Sequence, residues 1–191
     1  MRVIPMSVAS LERTKLPTAE DLWLMPSNGS RRELVRGVVR EMPPAGGEHG
    51  EIAGDLLVAL GAHVKSHRLG RVVAAETGFV IAHDPDTVRA PDCAFLSNAR
   101  APDRLSKRYV EATPDLVVEV VSPDDRAEEV SDKVDQWLRA GVSLVWVVHP
   151  RTRIVVTHRP DGQARILREG DTLSGDEVVP GFELTVGRLF E

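Results

Sequence analysis

Cysteine occurs only once in the 191 residues, at Cys93, so the chain can form no internal disulfide and no zinc cluster built on several thiolates. Flanked by Asp92 and Ala94 in an apolar segment, Cys93 reads as a small buried filler, because a nucleophile needs a neighbouring base that no motif here supplies. Long hydrophobic runs are missing too. No segment reaches the roughly 18 apolar residues of a membrane span, and Met1 to Ser10 has one basic residue, an interrupting Pro5 and too short an apolar stretch for a secretory signal. A soluble, cytoplasmic protein with no membrane partner is expected. Positive charge is also in short supply: the net charge of -5 speaks against strong non-specific binding of nucleic acid through a basic surface. Two local groups, Arg31, Arg32, Arg36 and Arg40, and Arg100, Arg104, Lys107 and Arg108, can be phosphate contacts or solvated faces.

What is present suffices for a packed core. The hydrophobic fraction of 42% is ordinary for a globular protein, and no internal repeat or low-complexity linker divides the chain. The expectation is a short N-terminal arm over residues 1–15 and a single α/β domain over 16–191, with a mixed β-sheet flanked by helices and a β-rich C-terminal tail. Thr18 ahead of Glu20 and Asp21 predicts a short helix beginning near Thr18. Glu33 to Met42 reads as a hairpin turning at Arg36-Gly37. Ile52, Ala53, Leu56, Leu57, Leu60 and Val64 recur at helical spacing, which predicts an amphipathic helix from His49 to about His67 with Gly70 as its terminator. Arg71 to Ala82 and Val88 to Leu96 look like neighbouring strands joined by a turn over His83 to Asp86. Leu116 to Val121 and Ser143 to Val148 read as buried strands on either side of a helix over 124–140, hence a parallel pair. Arg153 to His158 and Ala164 to Leu167 flank a turn over Pro160 to Gly162.

A lone carboxylate breaks the first of those buried strands. Leu116, Val117, Val118, Val120 and Val121 show no polar alternation, so Glu119 is expected to be buried or at a crevice edge, where an unpaired charge costs several kcal/mol on typical scales. Asp92 beside it would supply the oxygen ligands that a hard divalent cation needs. Other readings stand next to this one. Asp92 can cap a backbone amide at a strand end, Glu119 can form a buried salt bridge with an arginine, and Lys133 can be a solvated helix residue bonded to Glu129. His63 and His67 are spaced as a metal pair but lack the glutamate of a zinc protease. Trp137 and Trp146 read as core, and Glu76 is a candidate for the same crevice as Asp92.

Two carboxylates on adjacent strands with a lysine close by make a phosphodiesterase kit. The residues Pro91-Asp92 and Glu119-Val120-Val121 resemble the PD-(D/E)XK nuclease superfamily, with Val121 where its lysine is expected. From Lys133 to Pro150 the chain is similar to a large bacterial family of restriction endonucleases in which that lysine has moved to the following helix. Thr18-Ala-Glu-Asp-Leu22, Glu33-Leu-Val-Arg-Gly37, His49, Arg89-Ala-Pro-Asp92, Leu116 to Pro123 and Pro180-Gly-Phe-Glu-Leu184 follow in that family's order. The resemblance implies a restriction-endonuclease-like core and DNA cleavage dependent on Mg²⁺ or Mn²⁺. It makes Asp92 and Glu119 metal ligands, with the Val120 carbonyl as a further one, and Lys133 the displaced catalytic lysine; Glu33 and His49 match polar positions of the pattern. A homodimer would suit cleavage of both strands. A catalytically silent nucleic-acid or protein-binding module, or a hydrolase of small phosphoesters, are the competing expectations.

Overall fold

The computed structural model describes residues 15–191, so the expected arm over 1–15 lies, except for Lys15, outside the described residues. Helix α1 (Ala19–Leu24) begins as expected: Thr18 and Asp21 accept each other's backbone N–H in a capping box. Strands β1 (Arg31–Val35) and β2 (Val38–Met42) form the hairpin, with Arg36 at φ 50° and Gly37 at φ 74° in the left-handed turn that matches strand twist. Helix α2 (Gly47–Ser66) carries its apolar stripe inward through Ile52, Leu56, Leu60 and Val64.

Two expectations fail at the end of α2 and just beyond it. Gly70 does not terminate the helix; His67 is its last half-turn and Arg68 takes the left-handed conformation at φ 54°. Gly70 instead opens β3 (Gly70–Ala74), where a Cβ would sit 2.0 Å from the Leu96 carbonyl oxygen. Nor are 71–82 and 88–96 two continuous strands. Each breaks: β3 is followed by a turn with Glu76 at φ 70° and then β4 (Phe79–Ala82), while β5 (Thr87–Arg89) is separated from β6 (Cys93–Ser97) by Ala90-Pro91-Asp92. Proline cannot donate to a ladder, which explains the second break. The halves then part company, with β4 and β5 in one sheet and β3 and β6 in another.

The larger sheet is completed by β7 (Leu116–Val120), β8 (Leu144–His149), β9 (Ile154–His158) and β10 (Ala164–Arg168), in the order β10-β9-β8-β7-β6-β3. Only β7 and β8 run parallel in it, joined by α3 (Ala127–Arg139), as strand-helix-strand requires. The smaller sheet has the order β2-β1-β5-β4, and β11 (Thr172–Ser174) pairs with β12 (Glu183–Thr185) in the β-rich tail. Alternation along β7 divides the core. Val118 and Val120 face α2 with Cys93, Phe95 and Trp146; Val117 faces α3 with Ala94, Val145 and Trp137. Among the described residues no helix is long and apolar enough to cross a membrane.

Gly70→Ala should lower stability by roughly 2–3 kcal/mol, because the β3–β6 ladder must open to admit the methyl group. A shift of the urea midpoint to lower concentration with an unchanged slope checks this.

Candidate functional site

The β6–β7 register builds the site. Cys93 pairs with Val118, so one step further Asp92 lies opposite Glu119. The Asp92 N–H donates to the Val118 carbonyl at 3.1 Å, and its Oδ2 accepts from the Val120 N–H at 2.8 Å. Asp92 therefore does cap a strand end, with its backbone and side chain bonded to the two residues that flank Glu119. Its Oδ2 also meets His49 Nε2 at 3.2 Å, whereas its Oδ1 has, among the described residues, only the Arg31 Nη1 at 3.9 Å. The hydrogen bond to Asp92 raises the His49 pKa against the opposing effect of burial, and a bond to the Val120 backbone adds to it.

Glu119 shares the strand parity of Val117 and so points at α3. It is 7% exposed. Trp137 Nε1 donates to its Oε1 at 2.8 Å, and Lys133 Nζ stands 3.4 Å from its Oε2. The bond to Glu119 replaces the Lys133–Glu129 pairing that a solvated helix would have shown, and the expected arginine partner is absent among the described residues. Burial pushes the Glu119 carboxyl above its ordinary range; Lys133 opposes this, and the charges of Asp92 and Glu33 reinforce it. The Glu119 charge in turn holds the Lys133 ammonium above its usual pKa, so it stays a cation.

Glu33 is committed elsewhere. It is 1% exposed, one oxygen pairs with Arg89 Nη1 and the other accepts from the Ala90 N–H at 3.0 Å. Arg89 Nε continues to Gln136 Oε1 at 3.0 Å, which ties β1 and β5 to the helix bearing Lys133. The sequence reading placed Trp137 in the core, where its Nε1 also bonds Glu119, and named Arg89 only as part of the Arg89-Ala-Pro-Asp92 motif; no motif pointed to Gln136. The i, i+4 spacing of Lys133 and Trp137 was the available signal, since it puts both on one face of α3.

Two spaces adjoin the carboxylates. A cleft of about 380 Å³ on the α2 side is lined by Arg31, His49, Gly50, Gly54, Glu76 and Asp92. A space of about 20 Å³, the size of one water, lies on the other side by Glu119, Asp125 and Lys133. Among the described residues, no three His, Cys, Asp or Glu side chains gather closely enough to hold a metal ion. A pair of carboxylates suits Mg²⁺ nonetheless, since that ion keeps several waters and takes one or two carboxylates besides substrate phosphate. It does not suit zinc, which wants three or four nitrogen or sulfur ligands. His63 is occupied with the Pro180 carbonyl at 2.9 Å.

Asp92 just ahead of β6 and Glu119 on β7, with Lys133 from α3, bring two carboxylates and a cation to one end of the sheet. The family model of Uma2, described as "Putative restriction endonuclease", matches residues 19–187. The chain belongs to this family. The chain also has the fold of a crystal structure from Anabaena variabilis described as "a putative nuclease belonging to DUF820". The two share 20% identity at a TM-score of 0.78, over 91% of this chain and 97% of that one. No curated protein matches the sequence. The mixed sheet flanked by helices is thus the restriction-endonuclease-like fold expected.

Burial raises the Cys93 pKa to about 12, so the native thiol should resist a disulfide reagent at neutral pH and react only after unfolding. The part-buried Glu119–Lys133 pair should be replaceable: Glu119→Gln with Lys133→Met keeps the volumes and the Trp137 partner, and should change stability by no more than about 1 kcal/mol at pH 7. Because the folded Glu119 pKa lies above 4.5, the native state binds more protons than the unfolded one above that pH. Wild-type stability therefore loses a contribution as pH rises through this window, and the double variant should flatten that slope in urea titrations.

Proposed function

We propose that this chain is a metal-dependent endonuclease that hydrolyses DNA phosphodiester bonds. The observation that carries the reading is Lys133 Nζ 3.4 Å from a buried Glu119 that lies opposite Asp92 across the β6–β7 ladder. Restriction-endonuclease-like nucleases generally use divalent metals, and the donor set here favours Mg²⁺ or Mn²⁺. Asp92 and Glu119 would hold it with the Val120 carbonyl, and the bound cation supplies Lewis acidity and a water of lowered pKa.

The chain's own groups do the rest. Lys133 brings a permanent cation to the outer oxygen of Glu119, where it positions the attacking water and stabilises charge developing on the phosphate. His49 holds Asp92 in orientation through Oδ2 and leaves Oδ1 toward the cleft. Glu33 is a positioning residue: by gripping Arg89 and Ala90 it fixes the short link that delivers Asp92. We read residues 16–191 as one domain, acting in the cytoplasm as a homodimer so that two copies can cut two strands. A catalytically silent binding module on the same fold is favoured by a different observation, that both Glu119 oxygens already have protein partners.

Titration calorimetry with Mg²⁺ should show binding by the wild type that is lost in Asp92→Ala and in Glu119→Ala. That affinity should fall as pH drops, because protons compete for Glu119 from a raised pKa. Chelator should abolish cleavage of duplex DNA, and Lys133→Ala should slow it on the order of 100-fold. Cleavage indifferent to chelator refutes the mechanism. A wild type that binds DNA but never cuts it, with any divalent metal, makes the binding module the right reading.

A further inference from the structure

The cleft on the Asp92 side is larger than a cation with its waters needs, and its walls are unusual. Two of its side chains carry nitrogen atoms that are buried yet have no hydrogen-bond partner among the described residues, Arg31 Nε and His49 Nδ1. His49 is 9% exposed, and the Arg31 side chain 21%. The remaining contacts of Arg31 are slack: Nη2 reaches the Ala90 carbonyl at 3.4 Å, and Nη1 is 3.9 Å from Asp92. A guanidinium usually satisfies its fork with carboxylate or phosphate oxygens. This one is held near the site without being satisfied there.

Beside His49, one face of α2 carries no side chains. Gly47, Gly50 and Gly54 recur at helical spacing, and a Cβ built on any of them meets nothing within 4 Å. Gly50 and Gly54 line the cleft. Glycine weakens a helix interior, so packing does not explain this choice. The helix also starts at Gly46 without a side-chain cap, which leaves its first-turn N–H groups available to an anion.

Resting on the nuclease reading, we propose that this cleft receives the DNA strand beside the scissile bond, with Arg31 gripping a neighbouring backbone phosphate and the glycine face of α2 lying against the sugar. Arg31 would exchange its slack contacts with Asp92 and the Ala90 carbonyl for the phosphate oxygens. Arg31 thus acts on substrate placement, and the glycines decide how wide a strand can enter.

The test is a fluorescence-anisotropy titration of a short labelled duplex, with Ca²⁺ in place of Mg²⁺, at several salt concentrations. Arg31→Gln should weaken binding about tenfold and reduce the salt slope by about one, while Mg²⁺ affinity without DNA is retained. Arg31→Lys should recover part of the affinity, since it restores charge without the fork. Gly54→Leu should melt at or above the wild-type temperature, because leucine is the better helix former, and still bind DNA more weakly by filling the slot. If the wild type binds and cuts DNA but Arg31→Gln and Gly54→Leu bind it with unchanged affinity and slope, the cleft assignment falls and the nuclease reading stands. If Arg31→Gln loses Mg²⁺ affinity in step with DNA, Arg31 belongs to support of the metal site and the phosphate grip is wrong. A wild type that neither binds nor cuts DNA removes both.

Discussion

Burying Glu119 in a strand otherwise made of leucine and valine is costly unless its charge is met, and much of the surrounding structure serves to meet it. Trp137 donates to one oxygen and Lys133 approaches the other, both from the same face of α3. That geometry needs α3 packed on the sheet at the right rotation, which Val134 and Trp137 enforce by inserting among Val117, Val145 and Phe79. The hydrophobic contact and the polar one are made by the same helix, so the core positions the lysine. A carboxylate held this way remains above its ordinary pKa, with unspent affinity for a proton or a cation.

Asp92 depends on a different constraint, the interruption at Pro91. Were β5 and β6 continuous, the chain at Asp92 would simply extend a ladder. Instead the break releases the Asp92 side chain to accept the Val120 N–H, and the strand halves enter separate sheets. The Glu33–Arg89–Gln136 chain of contacts spans that gap and links the small sheet to α3. Any displacement of β1 therefore reaches both the Asp92 link and the helix that carries Lys133. Buried polar networks are favourable when their members are partnered, and here both Glu33 oxygens are.

The Asp92 side shows the opposite character. Arg31 and His49 retain unpartnered nitrogens, and α2 presents glycine where a stable helix would present alanine or leucine. Around Glu119 polar groups are satisfied and packed; around the cleft they are left wanting. This asymmetry is what a site needs if one carboxylate is fixed by the protein while the other meets an incoming ligand.

Sequence alone determined much of this protein. The hairpin at Arg36-Gly37, the long α2, the parallel β7–α3–β8 unit and the burial of Glu119 all follow from local chemistry, because turn residues, caps and hydrophobic period act over a few neighbours. Motif order also singled out Asp92, Glu119 and Lys133; in the fold Lys133 reaches Glu119, and Asp92 accepts from the neighbouring Val120 N–H. Tertiary structure decided what lies between distant segments. That 71–82 and 88–96 divide between two sheets, that Gly70 serves a close approach to Leu96, and that Glu33 spends its oxygens on Arg89 and Ala90 depend on long-range contacts. So does the choice of Glu119 over Glu129 as the partner of Lys133: an i–4 neighbour on the helix was available, but packing turned the lysine toward a buried charge, where its attraction is far stronger than in water.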